Sequence, residues 1–475
     1  MHFLSRQRRF WIVGIASLLL LLTIHYGLPG QARYPLAAPL PQDPYIQVYF
    51  NQAESDEYTD SYRDVRRYGD DLEAVIVEAI AQAQSSIDVA VQEINLPKIA
   101  LALRDRAQSG VQVRVIVENQ YNRVWQPLSD FQVQKLDERK QGKHSEQQRL
   151  IDANNNGKIT AKELDQGDAI RILQKAGVPL LDDTADGSKG SGLMHHKFMV
   201  VDGKTVVLGS VNWTLSGIHG DFANEASRGN ANGLLKIKNV DLAAVFTDEF
   251  ELMWGDGPDH EKDSLFGLQK PARSPKTINL PGSQITVQFS PVSESKPWSK
   301  SVNGLIGKTL GQASEQIDMA LFVFSDQGIS DRLAQVSQAG VTIQALIDSN
   351  FIYRSYSEAL DMLGTATPDH RCQFEANNHP WTQPISQVGT PLLPDGDKLH
   401  HKFALIDNRT VIIGSHNWSA AANHNNDEDI LILRNPTVAA HFRREFDRLA
   451  ESTDMGFTES LQDRLQRQRK ACGLY

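Results

Sequence analysis

Apolar positions recur in two matching series along the chain. "SSIDVAVQEI" (85–94) and "EQIDMALFVF" (315–324) are apolar runs of strand length. "LRDRAQSGVQVRVIVEN" (103–119) and "LAQVSQAGVTIQALIDS" (333–349) each read as a helix closed by glycine and followed by a second apolar strand. Asp88 and Asp318 stand 230 residues apart, and so do Gly110 and Gly340. "YIQVYFNQ" (45–52) and "QITVQFSP" (284–291) match loosely as opening strands. Strand–helix–strand order repeated in this way predicts an α/β sandwich built from two similar halves.

A second pair of segments carries chemistry. "MHHKFMVVDG" (194–203) and "LHHKFALIDN" (399–408) are strand-like, and on a strand residues i and i+2 share a face. His195 therefore points with Lys197, and His400 with Lys402. After a turn, "VVLGS" and "VIIGS" lead to Asn212 and Asn417, so a hairpin gathers histidine, lysine and asparagine. Imidazole can attack or donate a proton; lysine and asparagine can hold anionic phosphate oxygens. One such set supplies half of an in-line displacement, and two supply a nucleophile and an acid on opposite sides of phosphorus. Asp202 and Asp407 lie an odd number of residues from the histidines, a spacing that ties down the hairpin as readily as it faces the pocket. His196 and His401 fall on the other strand face and read as structural; Trp213 and Trp418 read as packing. A His/Asp metal centre is disfavoured, because Lys197 and Lys402 put positive charge where a cation would sit.

The histidines are only 205 residues apart, so the first half holds 25 extra residues between Gly110 and His195. "DANNNGKITAKE" (152–163) explains them. It sets Asp152, Asn154, Asn156, the Lys158 carbonyl, Thr160 and Glu163 at the ligand positions of an EF-hand loop, with Gly157 at its sharp turn. An EF-hand-like insert over about 144–170 is expected, binding Ca2+ in a structural or regulatory role, with no catalytic metal. Only two of these ligands are charged, which suits a weak site.

The N-terminus adds a location. Arg6, Arg8 and Arg9 precede an uncharged, mostly apolar run from Phe10 to Ile24. That pattern fits a signal peptide or an N-terminal membrane anchor within residues 1–32, and either places the remainder outside the cytoplasm. Residues 33–44 read as a proline-rich linker, 45–258 as the first half, 259–283 as a linker, 284–455 as the second half and 456–475 as a tail. A net charge of −10 gives no general footprint for polyanion binding but leaves room for a local cationic cleft. Cys372 and Cys472 fit no zinc or redox motif and could pair in an oxidising compartment.

These segments resemble the phospholipase D superfamily in its two-motif form, marked by His-x-Lys-x4-Asp-x6-Gly-Ser-x-Asn. His195, Lys197, Asp202, Gly209, Ser210 and Asn212 match in the first half, and His400, Lys402, Asp407, Gly414, Ser415 and Asn417 in the second. The resemblance implies two α/β/α sandwich halves packed as a pseudo-dimer with the active site at their interface, in one monomeric chain. It implies catalysis by His195, Lys197, Asp202, His400, Lys402 and Asp407. Phosphate would be held by Asn212, Asn417, Ser210 and Ser415, and a phosphohistidine would form on His195 with His400 as acid. Relatives often carry a Glu-Asn segment after the motif. Glu428 fits it as the residue orienting a histidine; in the first half Ala231 takes the glutamate position and Glu225 is the nearby substitute. Phospholipid is the expected substrate and phospholipolysis the expected activity. The alternatives are an exported endonuclease, a lipid synthase of the cardiolipin type acting as a transferase on the same site but without a synthase-specific cue, and a calcium-dependent binding protein without turnover; no protein partner is inferred.

Overall fold

A computed structural model describes residues 36–184, 191–258 and 262–474. The apolar run Phe10–Ile24 and the first residues of the proline-rich stretch lie outside them. Among the described residues no helix is long and apolar enough to cross a membrane.

Two sheets carry the repeat. The first has seven strands in the order Ile46–Phe50, Gly233–Lys238, Thr205–Gly209, Lys197–Val201, Ser86–Val91, Gln112–Val117 and Leu180–Asp182. In the second, the equivalents run Ser283–Ser290, Glu428–Arg434, Thr410–Gly414, Lys402–Ile406, Gln316–Leu321, Thr342–Ile347 and Val388–Pro391, with Lys276–Leu280 and Thr453–Met455 added at the two edges. In each half the strand after the first crossover helix is parallel to its predecessor. The histidine-bearing hairpin then adds antiparallel on the other side. The strands Lys197–Val201 and Lys402–Ile406 are buried at every position, because layers cover both faces. Gly209 and Gly414 end the second strand of each hairpin. A Cβ there would lie 2.1 Å from the Gly233 carbonyl and 2.2 Å from the Asp429 carbonyl, so only glycine lets the neighbouring strand close in.

The cores explain how the halves join. One apolar cluster fills the outer layer of the first half and another that of the second. A third is shared, and lies around the helices Val240–Trp254 and Pro436–Glu451. Asn239 and Asn435 cap these helices through the Leu242 and Val438 amides, another echo of the repeat. Aromatic rings cross between halves in equivalent pairs: Phe246 meets Phe289 edge-on at 5.2 Å, and Phe442 meets Phe50 at 5.1 Å.

Three sequence boundaries need correction. Residues 259–283 are no free linker: Phe266 is fully buried, and Lys276–Leu280 joins the second sheet. Residues 456–475 are more than a tail, since the helix Glu459–Ala471 buries Leu461 and Leu465 in the second-half core. Cys472, following that helix, is disulfide-bonded to Cys372 with Cα atoms 5.3 Å apart. The insert is wider than 144–170. Helices Asp130–Gln134, Glu138–Ile151, Ala161–Gly167 and Ala169–Lys175 stand where the second half has the short helix Glu358–Met362.

Candidate active site

The two histidine segments meet at the junction of the halves, each paired with the opposite half. The His195 amide donates to the Asp427 carbonyl at 2.9 Å, and the Asp427 amide to Leu193 at 2.9 Å. In mirror fashion His400 N–H reaches the Ala231 carbonyl at 3.0 Å, and Ala231 N–H the Lys398 carbonyl at 2.8 Å. These short parallel bridges, Met194 with Asp427 and Leu399 with Ala231, fix both histidines in one cleft.

The side chains repeat the exchange. His195 Nδ1 lies 2.6 Å from a Glu428 carboxylate oxygen of the second half. His400 Nδ1 lies 3.0 Å from Asn232 Oδ1 of the first half. Asn232 Nδ2 donates to the Gly217 and Asn230 carbonyls at 2.9 and 3.0 Å, which fixes the amide orientation and leaves Oδ1 as acceptor. His400 must then carry its proton on Nδ1 toward Asn232, and its Nε2 is the atom left for chemistry. By the same logic the Glu428 carboxylate holds the Nδ1 proton of His195. Asn232 thus occupies the position equivalent to Glu428. The sequence placement of Ala231 there is one residue out of register, and Ala231 instead makes the backbone bridge. Glu225 is exposed in the loop beside the insert and does not serve as the substitute.

Lys197 and Lys402 lie deep in the cleft, both 1% exposed. Each ammonium donates to the carbonyl of its own histidine, at 2.6 and 2.7 Å. Their further neighbours differ. Lys197 reaches Gln92 Oε1 at 3.3 Å, whereas Lys402 sits over the Phe322 ring at 5.0 Å, and that ring also lies 4.8 Å from His400. Gln92 and Phe322 are repeat-equivalent, so the site is polar on one side and aromatic on the other. Asn212 and Asn417 are half-buried, and each has a buried side-chain oxygen with no hydrogen-bond partner among the described residues. That oxygen is an acceptor, so a phosphate oxygen would be held by the Nδ2 hydrogens of the same amide.

Two sets of motif residues do other work. Asp202 accepts hydrogen bonds from the Gln84, Ser85 and Ser86 amides and the Ser85 hydroxyl; Asp407 does the same with Ser314, Glu315 and Gln316. Both therefore clamp the chain entering the neighbouring strand, at the far end from the histidines, and are not catalytic. Ser210 donates to Asn232 Oδ1 at 2.8 Å and accepts from Gly233 N; Ser415 accepts from Asp429 N at 3.0 Å. They fasten adjoining strands and are not free for phosphate. His196 and His401 are buried on the opposite face, bonded to Glu249 at 3.0 Å and Glu445 at 2.8 Å. Trp213 and Trp418 are buried packing residues. Sequence reasoning set Asn232 one residue out of register, as the asparagine of the Glu-Asn segment, and missed Gln92, Phe322, Lys270 (ion-paired to Asp427 at 2.6 Å) and His416 (bonded to Asn303 at 2.8 Å).

Electrostatics make the cleft a poised anion site. Burial, opposed by Glu428, lowers the His195 imidazole to about 4, so it is neutral near pH 7. Burial and then Lys402 and Lys197 hold His400 well below its usual range. Burial brings the Lys197 ammonium down to about 7, and burial with Lys197 lowers Lys402 strongly. Burial alone would raise the Glu428 carboxyl, but His195 overcomes it and brings it to about 2. Four potential cations thus gather around Glu428, with the Asp429, Glu93 and Asp348 carboxylates also favouring protonation of one or other lysine, an arrangement that an incoming phosphate completes.

A family model described as "Cardiolipin synthase, PLD-like domain" matches residues 76–254 and 306–450, more than half of the chain. The chain belongs to this PLD-like family. Among curated PLD-like relatives, mitochondrial cardiolipin hydrolase of Mus musculus is 26% identical over 162 residues, which cover 34% of this chain and 63% of that protein. A phospholipase D of Rickettsia felis is 25% identical over 137 residues, covering 29% of this chain and 58% of that protein. The chain thus spans less than two thirds of the length of these relatives. Among solved structures, phosphatidylserine synthase of Haemophilus influenzae superposes with a TM-score of 0.52 at 13% identity, covering 91% of this chain and 95% of that one. That likeness extends the PLD-like fold over both halves.

The loop at Asp152–Glu163 has its own geometry. It follows the helix Glu138–Ile151 and enters Ala161–Gly167. Asp152 oxygens accept from Asn156 N and Gly157 N at 3.1 and 2.7 Å, Asn156 Oδ1 from Lys158 N at 2.8 Å, and Glu163 from Thr160 N and Oγ1. Asn154 Nδ2 touches the other Glu163 oxygen. Gly157 takes φ +74°, the conformation that the turn requires. The hard oxygen set of Asp152, Asn154, Asn156 and Glu163 is gathered on one small loop, and its chemistry fits Ca2+.

Proposed function

We propose that this chain is a phospholipase D-type phosphodiesterase that hydrolyses a phosphodiester bond of phospholipid through a phosphohistidine on His195. The observation that carries the reading is the unequal partnering of the two histidines, Glu428 on His195 and Asn232 on His400. His195 Nε2 attacks phosphorus. The Nδ1 proton stays on the ring, and the Glu428 carboxylate stabilises the positive charge that grows there as the P–N bond forms. His400 carries a proton on Nε2 once phosphate has entered the cleft. It gives that proton to the departing alkoxide as the P–O bond breaks, and its neutral partner Asn232 keeps the imidazolium a willing acid. A water then attacks the phosphohistidine, His400 Nε2 takes the water's proton, and His195 leaves with its lone pair restored. Lys197, Lys402 and the Asn212 and Asn417 amides hold the non-bridging oxygens.

Phospholipid vesicles and single- and double-stranded DNA, offered separately to the purified protein, test the reading. Release of headgroup alcohol from vesicles is expected. Cleavage of DNA alone would make the protein a nuclease on the same site. Export and action as a monomer are part of the proposal. The N-terminal arginines with their apolar run and the Cys372–Cys472 disulfide support export; both motifs in one chain support the monomer. Ca2+ at the Asp152–Glu163 loop is proposed as structural. Its addition should raise thermal stability by about 2.7 kcal/mol at a hundredfold excess over Kd, and Glu163→Gln should remove that shift in a melting experiment.

A further inference from the structure

The stretch Gln92–Leu96, which follows the strand Ser86–Val91, is bonded to both elements that carry phosphate-holding groups in the first half. Lys197 Nζ donates to Gln92 Oε1 at 3.3 Å, and Gln92 N to the His196 carbonyl at 2.9 Å. The Glu93 carbonyl accepts from Trp213 N at 3.0 Å, and Asn95 N donates to the Trp213 carbonyl at 3.0 Å, which fixes the backbone directly after Asn212. Asn95 Oδ1 accepts from Leu215 N at 3.0 Å. One short stretch thus sets where the Lys197 ammonium and the Asn212 amide stand. In the second half the corresponding stretch is held by pairing: Phe324–Ser325 forms a parallel ladder with Trp418–Ser419, and Val323 and Ser325 stand where the first half has Glu93 and Asn95. In the first half an isolated bridge, Ile94 with Trp213, takes the place of that ladder. The support comes instead from outside, from the insert helix Glu138–Ile151. Lys143 Nζ lies 2.5 Å from a Glu93 carboxylate oxygen and 3.1 Å from the Tyr121 hydroxyl. One turn on, Glu146 accepts from Asn95 Nδ2 at 2.9 Å, and one turn further Leu150 is buried in the first-half core.

We propose that Lys143 and Glu146 are positioning residues for phosphate binding: through Glu93 and Asn95 they clamp the stretch that holds Lys197 and Asn212 in place. A lysine side chain loses much rotamer freedom when its ammonium is held on a phosphate oxygen, and a fixed partner removes that cost in advance. Gln92 is the fixed partner of Lys197, and it is as fixed as the backbone that bears it. Asn212 depends on the same backbone through the pairing of Glu93 and Asn95 with Trp213. Burial would lower the Lys143 ammonium, but Glu93 and then Tyr121 outweigh it and raise it, so the ion pair at the root of the clamp stays charged at neutral pH. The clamp acts on one half alone, and it gives the insert a part in the chemistry that the sequence spacing did not reveal.

The inference rests on the phosphodiesterase reading of the same cleft. It is tested on the full chain by calorimetric titration with inorganic phosphate and by hydrolysis of the water-soluble diester bis(p-nitrophenyl) phosphate. Burial raises the Glu146 carboxyl to about 7, so pH 7.5 is used, where it is largely charged. Lys143→Met removes a positive charge and Glu146→Ala a negative one, yet each should weaken phosphate binding by about tenfold, the worth of one hydrogen bond to a charged group. KM for the diester should rise by about the same factor with kcat little changed, because the oxygens are held in ground and transition state alike. Lys143→Arg, which can still pair with Glu93, should stay within about twofold of the wild type in phosphate Kd, where about tenfold marks the loss of the contact. Arg114→Met serves as the control: it breaks ion pairs to Asp88 and Glu251, each at 2.7 Å, and should lower the melting temperature without moving the phosphate Kd. The same pattern in Lys143→Met and Glu146→Ala, lower stability with unchanged Kd, would make the clamp purely structural and overturn the proposal. Opposite shifts of Kd in those two variants would leave only the charge of the insert, and overturn it as well. A wild type that binds phosphate but cleaves no diester would overturn the phosphodiesterase reading, while the Kd values still decide the clamp.

Discussion

Replacing Glu428 by glutamine keeps the side-chain volume and removes the charge behind His195. The carboxyl is fully buried and drawn from 4.5 to about 2, which at 1.36 kcal/mol per pKa unit means that its surroundings favour the ionised form by about 3 kcal/mol. His195 is the foremost source of that preference, so most of it is available to stabilise an imidazole that turns cationic during attack. Losing it should lower kcat by about a hundredfold, since each 1.36 kcal/mol is a factor of ten. Lys197 and Lys402 also lose the carboxylate that favours their protonation. Phosphate binding should therefore weaken more steeply with rising pH in the variant. Rapid-quench measurement of phosphohistidine formation separates the effects: the formation step should slow, while a pre-formed intermediate should hydrolyse at a rate closer to that of the wild type. Formation within about threefold of the wild-type rate, where about a hundredfold is expected, would refute the assignment of Glu428 to the nucleophile.

Other outcomes test the remaining parts. His400→Asn should let labelled phosphate accumulate on His195 as an acid-labile, base-stable adduct; label on another residue would reverse the roles. Asp202→Asn should cost about 1–2 kcal/mol of stability in a denaturant titration, because charge-assisted bonds become neutral ones, and should leave kcat unchanged. A large loss of kcat without a loss of stability would return Asp202 to the active site. Phosphate should raise the melting temperature more at pH 6 than at pH 8.5, because anion binding favours protonated Lys197, whose ammonium sits at about 7; the opposite trend would mean that the lysines do not hold the anion. His195 and His416 are both lowered to about 4, so the unfolded chain binds more protons between their ordinary 6.5 and that value. Stability should accordingly fall as pH drops through that window, as read by melting without phosphate.

The strands, crossover helices and paired hairpins were legible because they rest on local periodicity, and because the chain states each of them twice. Asp202 and Asp407 were left between two roles by their odd spacing, and the amides that they cap decide the matter. The partners of the histidines were harder. Glu428 is 233 residues from His195 in sequence, and no local pattern tells which half a carboxylate serves. Asn232 was misplaced by one residue because the short segment around it has no glutamate to anchor the register; only the strand beginning at Gly233 sets it. Phe322 and Gln92 stood opposite each other in the repeat, but an aromatic in an apolar strand reads as core until its neighbour is seen to be a histidine. Residues 259–283 were read as a linker, although Lys270 is ion-paired in the interior.

The crosswise pairing of the halves has a consequence for how such a molecule can change. Each histidine depends for its proton on a residue that the other half encodes, so neither half is a self-sufficient catalyst. A symmetric pair of first halves would set Asn232 behind both copies of His195, two imidazoles with no carboxylate. A symmetric pair of second halves would set Glu428 behind both copies of His400, two equivalent nucleophiles with no designated acid. Joined as they are, one glutamate and one asparagine turn two equal copies into an ordered pair with a direction. A single exchange at position 232 or 428 is enough to erase that direction, and exchanging both would reverse it.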